Sequence, residues 1–195
     1  MRLVVLVGLL AGATDGWEQI AEEDGLVLSE QGVAGSRFDR VRVTGTTRAS
    51  AEAMADVWWG KAEDLTSTPE VTKREVMRDD TNDRLYWDLI SAPPISDRDY
   101  VMRETRRRDP ATGVVTIVYK SVDDARKPSS THVRMSLEGS FTATPLPNGG
   151  CTFTYQMHTD VGGSVPAVLT RGPQRKSALG LARENRRLAE RVSKR

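Results

Sequence analysis

Few residues in this chain have the type and spacing to do chemistry. Cys151 is the lone cysteine, which excludes an intrachain disulfide and a thiolate metal cluster. His132 and His158 fall in different strand-like segments, on faces that read as outward. Neither belongs to a His-x-x-x-His or Cys/His pattern that would hold zinc. No nucleophile elbow is present, and Asn148-Gly149-Gly150 reads as a hairpin turn rather than a loop that cradles phosphate. Glu104 is the residue of interest. It shares a strand face with Tyr100 and Met102, and a carboxylate on an inward face must be paired, hydrogen-bonded or hydrated. It either receives a ligand hydroxyl or turns to solvent and pairs with an arginine. No catalytic residue, metal ligand or cofactor is assigned.

The elements that must position these side chains follow from hydrophobic periodicity. Residues 17–23 are expected to form a short helix that stops at Asp24-Gly25, followed by strands over 26–29 and 39–47. Ser50 is the N-cap of a helix whose inner stripe is Met54, Val57 and Trp58, and a second helical turn is expected near Leu65. From 71 to 160 the pattern is a meander, with strands over 71–78, 84–90, 98–108, 114–122, 132–142 and 151–160. The last element runs from Gly162 to about Val192, with a kink or restart at Gly172-Pro173 and an apolar face of Ala178, Leu181, Leu188 and Val192 that includes Asn185. This is an α+β plan: a curved antiparallel sheet of about seven strands, short helices between the early strands, and a long C-terminal helix across the concave side.

Composition narrows the function classes. The 195 residues suffice for one core and one domain. Lys plus Arg total 28 against 27 for Asp plus Glu, which gives no footprint for nucleic acid. The excess that exists is local: nine of the eleven charged residues from Arg171 onward are basic, a pattern that either favours transient contact with an anionic membrane surface or forms a solvated face. Residues 1–13 read as a short signal peptide, which would make the protein secreted or periplasmic. The alternative is an apolar extension packed on a cytoplasmic domain.

Strand alternation assigns inward faces. Tyr100, Met102 and Glu104 share one; Val115, Ile117 and Tyr119 the next; then Val133, Met135, Leu137 and Phe141; and finally Phe153, Tyr155 and Met157. Periodicity alone reads them as a filled core.

Three local motifs, in order, resemble the START (steroidogenic acute regulatory protein-related lipid transfer) family of the Bet v 1-like helix-grip superfamily. Asp160-Val161-Gly162-Gly163-Ser164-Val165-Pro166 is similar to the family's junction between last strand and C-terminal helix. Pro94-Ile95-Ser96-Asp97-Arg98-Asp99-Tyr100-Val101 is similar to its Arg-Asp-Phe/Tyr-Val strand, and Trp17 with Asp24-Gly25-Leu26-Val27 resembles its opening. The resemblance implies a tunnel for one lipid, fatty acid or sterol-like molecule, gated by the C-terminal helix and the 123–131 link. On that reading Tyr100, Met102, Glu104, Ile117, Tyr119, Met135, Leu137, Phe153, Tyr155 and Met157 line the tunnel, with Val168 and Leu169 from the terminal helix. In steroid carriers of the family a buried arginine–carboxylate pair orients the ligand. Glu104 stands where that arginine would be, so sterol specificity is not implied. The expected protein is a non-catalytic, monomeric carrier or sensor; the alternative is a polyketide cyclase or aromatase-like enzyme on the same fold.

Overall fold

The computed structural model describes residues 16–61, 64, 70–91, 93, 95–128, 132–147 and 149–193. The segment expected to be a signal peptide and the helical turn expected near Leu65 lie outside these residues. Ten strands and two helices follow in the order β1 (Glu18–Glu23), β2 (Leu26–Gln31), β3 (Arg40–Thr47), α1 (Ala51–Trp59), β4 (Val71–Asp79), β5 (Asp83–Ile90), β6 (Arg98–Arg108), β7 (Val115–Ser121), β8 (Val133–Arg134), β9 (Ser136–Pro145), β10 (Cys151–Asp160) and α2 (Ala167–Val192). They form one sheet ordered β1-β2-β3-β10-β9-β7-β6-β5-β4, antiparallel throughout, with β8 added parallel to the start of β6.

The sheet therefore has ten strands rather than about seven. One difference is β1, where a helix was expected. Asp24 (φ 54°) and Gly25 (φ 70°) form a two-residue turn that folds β1 back on β2, and the ladder hydrogen bonds outweigh the weak helical tendency of six residues. The other is β8, which a break at Met135 separates from β9.

Ser50 caps α1, its Oγ accepting from the N–H of Ala53 at 3.1 Å. The helix packs on β7, β9 and β10, while α2 crosses β2 and β3 and touches α1. The helix is continuous through Gly172 and Pro173, with no restart. Its buried stripe is Ala178, Leu179, Ala182, Asn185 and Ala189; Leu181 and Leu188 stand at the edge of that stripe and Val192 is exposed. Small residues face the sheet because the helix lies close to it.

The outer face carries its own apolar cluster, Leu85, Trp87 and Val101 with Met77, Leu89 and Val122. The link after β7 covers it. The Lys127 ammonium lies 4.6 Å from the Trp87 ring centroid and 2.5 Å from the Glu75 carboxylate, and Arg134 donates to the Lys127 carbonyl at 2.7 Å. The described part of the 123–131 link thus packs on the convex side.

Candidate ligand-binding site

The inward faces assigned by alternation do point into the concave side, where the interior divides into a packed middle and two cavities. Tyr100, Met102, Ile117, Tyr119, Phe153 and Tyr155 are buried in the main core and border neither cavity. Trp58 of α1 reaches over them, its ring 4.4 Å from Phe141 in a stack and 4.7 Å from Tyr155. Tyr119 donates to the carbonyl of Gln156. Burial holds the Tyr119 and Tyr155 phenols well above the ordinary tyrosine range.

The larger cavity, about 360 Å³, lies between β5, β9, β10 and the first half of α2. Its walls are Ile90, Ile95, Met135, Leu137, Met157 and Val161, and α2 contributes Leu169, Thr170, Pro173, Gln174 and Ser177. The volume falls within the range of small-molecule sites. Four expected residues, Met135, Leu137, Met157 and Leu169, are brought together here. Val168 is not among them: it points outward and is 78% exposed, beside Leu169 at 56%.

The junction before α2 sets this geometry. Gly162 and Gly163 have φ of 67° and 61°, and a Cβ on Gly162 would sit 2.5 Å from the Arg134 carbonyl oxygen. Only glycine allows strand β10 to turn into α2 there.

The smaller cavity, about 180 Å³, lies at the other end, under the C-terminus of α1. Trp58, Trp59, Arg74, Arg84, Tyr86, Glu104, Leu181, Asn185 and Leu188 are among its walls. Glu104 faces this cavity and accepts a hydrogen bond from Tyr86 Oη at 2.7 Å, so it neither reaches solvent as an arginine partner nor borders the apolar cavity. Burial raises its pKa above the ordinary 4.5, against the lowering effect of the Tyr86 hydrogen bond.

Next to it, Arg74 makes two 2.6 Å hydrogen bonds to Asp88, which is fully buried, and Tyr100 donates to the same carboxylate at 2.6 Å. Burial acts to lower the Arg74 pKa, but the hydrogen bonds to Asp88 and the charges of Asp88, Tyr86 and Tyr100 together more than reverse it. Arg84 is held by Asp79 and by the carbonyls of Trp59 and Gly60. These groups satisfy one another.

Sequence reasoning missed most of the apolar cavity. Ile90 and Ile95 flank the link between β5 and β6, and α2 presents Pro173, Gln174 and Ser177, which carry no apolar signature. Arg98 donates to the carbonyls of Val161 and Ser96 and lines the cavity. Its neighbour Asp99 pairs with Arg134 at 3.0 Å. His158 sits on the outward face, where its Nε2 lies 3.0 Å from Ser36 Oγ. Cys151 is buried and its thiol is pushed up to about 11 by desolvation. Among the described residues no group of three or more His, Cys, Asp and Glu side chains is placed to hold a metal ion.

Comparison with known proteins supplies the family. No curated protein matches the sequence significantly. Among solved structures, the chain is similar to a STAR-related lipid transfer protein fragment from Xanthomonas axonopodis, with 25% identity and a TM-score of 0.77 over 90% of this chain and 99% of that one. It is similar to human StAR-related lipid transfer protein 5, with 18% identity and a TM-score of 0.77 over 92% and 89%. A di-domain aromatase/cyclase of the steffimycin biosynthetic pathway shares the fold at 14% identity and a TM-score of 0.54, over 80% of this chain and 52% of that one. The START domain model matches residues 5–195, nearly the whole sequence, and the chain belongs to that family.

Proposed function

We propose that this chain is a non-catalytic carrier or sensor that holds one apolar ligand, such as a lipid, fatty acid or sterol-like molecule, in the 360 Å³ cavity. One observation carries the reading: of the two cavities that flank the packed middle, the larger is walled mainly by apolar side chains, whereas the smaller is lined by charged and polar groups that bond to one another. Atoms lining an empty space forgo dispersion contacts that a ligand would restore. Burying the ligand's apolar surface then contributes about 25 cal/mol per Å² before the costs of association. Met135 and Met157 on the walls repack readily around a flexible chain. The similar structures from Xanthomonas axonopodis and human are lipid transfer proteins by name, which agrees with such a role.

Exchange takes place where Pro93 and Ile95 face the first turns of α2 across the cavity. Pro173 supplies no N–H to the carbonyl of Leu169, so the first turns are the weakest part of the helix. Membrane contact, on this reading, uses the exposed Val168 and Leu169 rather than charge. The basic excess of α2 is engaged within the molecule: Arg171 pairs with Asp39, Arg175 with Glu30, Arg183 with Glu23 and Asp24, and Arg187 with Glu184.

The cyclase-like alternative draws on the Glu104–Tyr86 pair, a carboxyl of raised pKa beside a phenol. Mass spectrometry of the molecule that co-purifies with the protein separates the two. An unmodified lipid at about one per chain supports the carrier, and a cyclised product the enzyme. A protein that gains no thermal stability from any lipid would refute both.

A further inference from the structure

Arg98 differs from the other buried cations. Arg74, Arg84 and Arg134 lie 2.6, 2.5 and 3.0 Å from Asp88, Asp79 and Asp99 respectively. Arg98 is only 4% exposed, yet among the described residues no carboxylate comes within ion-pair distance of it. Its Nε donates to the carbonyl of Val161 at 3.2 Å, and its Nη1 donates to the carbonyl of Ser96 and, at 2.8 Å, to the Ser96 hydroxyl. All three acceptors are neutral, and among the described residues Nη2 has no hydrogen-bond acceptor. The nearby carboxylates do not pair to it: Asp97 and Glu70 are exposed, Asp99 pairs with Arg134, and the Oδ1 of Asp160 accepts from the N–H of Gly162 at 2.9 Å. A guanidinium withdrawn from water without a counter-ion is costly, and this one lines the apolar cavity beside Ile95, Val161 and Leu169.

We infer that Arg98 anchors the anionic end of a single-chain lipid, a carboxylate or a phosphate monoester, whose chain lies along Met135, Leu137 and Met157. The planar guanidinium suits either oxyanion, and one free nitrogen leaves room for one such group. The inference rests on the carrier reading and narrows it. It places the polar end of the ligand at the mouth rather than at Glu104, which borders the other cavity.

Calorimetric titration at pH 8 with hexadecanoate, hexadecyl phosphate and hexadecanol tests it. Either anion is expected to bind about tenfold or more tightly than the alcohol, as a charge-assisted hydrogen bond allows. The tighter of the two identifies the head group. Arg98→Met is expected to abolish that preference while hexadecanol binding persists, and Arg98→Lys to keep part of it. Because Arg98→Met also removes the hydrogen bonds to residues 96 and 161, its melting curve accompanies the titration. If it does not fold, the end-group preference of the wild type decides alone. Equal binding of all three compounds overturns the inference and leaves the carrier reading intact. Failure of all three to bind also overturns the inference, and the identity of the co-purifying molecule then decides the carrier reading.

Discussion

The two ends of the concave interior use similar strand patterns to opposite effect. Under α1, bulky aromatic side chains meet: Trp58 stacks on Phe141, and Tyr100, Tyr119 and Tyr155 fill the space behind it. The polar groups there are bonded to each other, as Arg74, Asp88 and Tyr100 are. Under the first turns of α2 the strands contribute Met135, Leu137 and Met157, the helix contributes small or polar residues, and a cavity remains. Its border carries a glycine pair, an in-helix proline and two exposed apolar residues. On the proposed reading the first region holds the fold together and the second admits the ligand. Side-chain volume opposite the strand, more than the strand itself, decides which outcome results.

The sharpest way to break this comparison is at Asp88. Asp88→Ala leaves Arg74 as an uncompensated buried cation and the Tyr100 hydroxyl without its acceptor, which is expected to cost about 3–5 kcal/mol in urea denaturation. Ligand affinity measured below the transition should stay within about twofold, because Asp88 does not border the apolar cavity. A loss of affinity as large as the loss of stability would show that the two ends do not act separately. Gly162→Val comes next. Its φ of 67° and the 2.5 Å approach of a Cβ to the Arg134 oxygen predict a loss of about 1–3 kcal/mol, read as a lowered melting temperature. A variant that melts with the wild type would mean that the junction tolerates a side chain.

How far this division could be read in the sequence depends on how local each feature is. The Ser50 cap and the Gly162-Gly163 junction are set by a few consecutive residues, and both were legible. Strands from Arg40 to Asp160 were legible from alternation, to within a residue or two at most ends. The six residues of β1 were misread because so short a segment satisfies helix and strand patterns alike; the Asp24-Gly25 pair was the hairpin signal that decides it. Core and cavity could not be told apart. Tyr155 and Met157 are neighbours on one face of β10, yet the first is packed under Trp58 and the second lines the void. What lies opposite each comes from helices distant in the chain. The pairing of Arg74 with Asp88 and the isolation of Arg98 are likewise tertiary facts, invisible in a single strand.

Filling the cavity sharpens the comparison from the other side. Leu137→Trp places an indole in the void, so affinity for hexadecanoate is expected to fall more than tenfold while unfolding free energy changes by less than about 1 kcal/mol. The same enlargement in the packed middle, beside Phe141 and Tyr155 under Trp58, would be costly, because those side chains are closely packed. Unchanged affinity in Leu137→Trp would mean that the ligand lies elsewhere.

The smallest effect concerns Glu104 and appears only as a pH dependence. Its carboxyl has a folded pKa raised above 4.5 by burial, so the folded state binds this proton more tightly than the unfolded chain does. Its contribution to stability is then fully present below pH 4.5 and is lost as pH rises through the higher folded pKa, after which it stays constant. Glu104→Gln removes the titration while keeping the shape and an acceptor for Tyr86. The difference in melting temperature between variant and wild type should therefore move in the variant's favour as pH increases over that window. Affinity for an apolar ligand should remain the same at each pH, since residue 104 borders only the smaller cavity. A difference that does not change with pH would place the carboxylate in contact with water, and a pH-dependent change in affinity would connect the two cavities through the ligand.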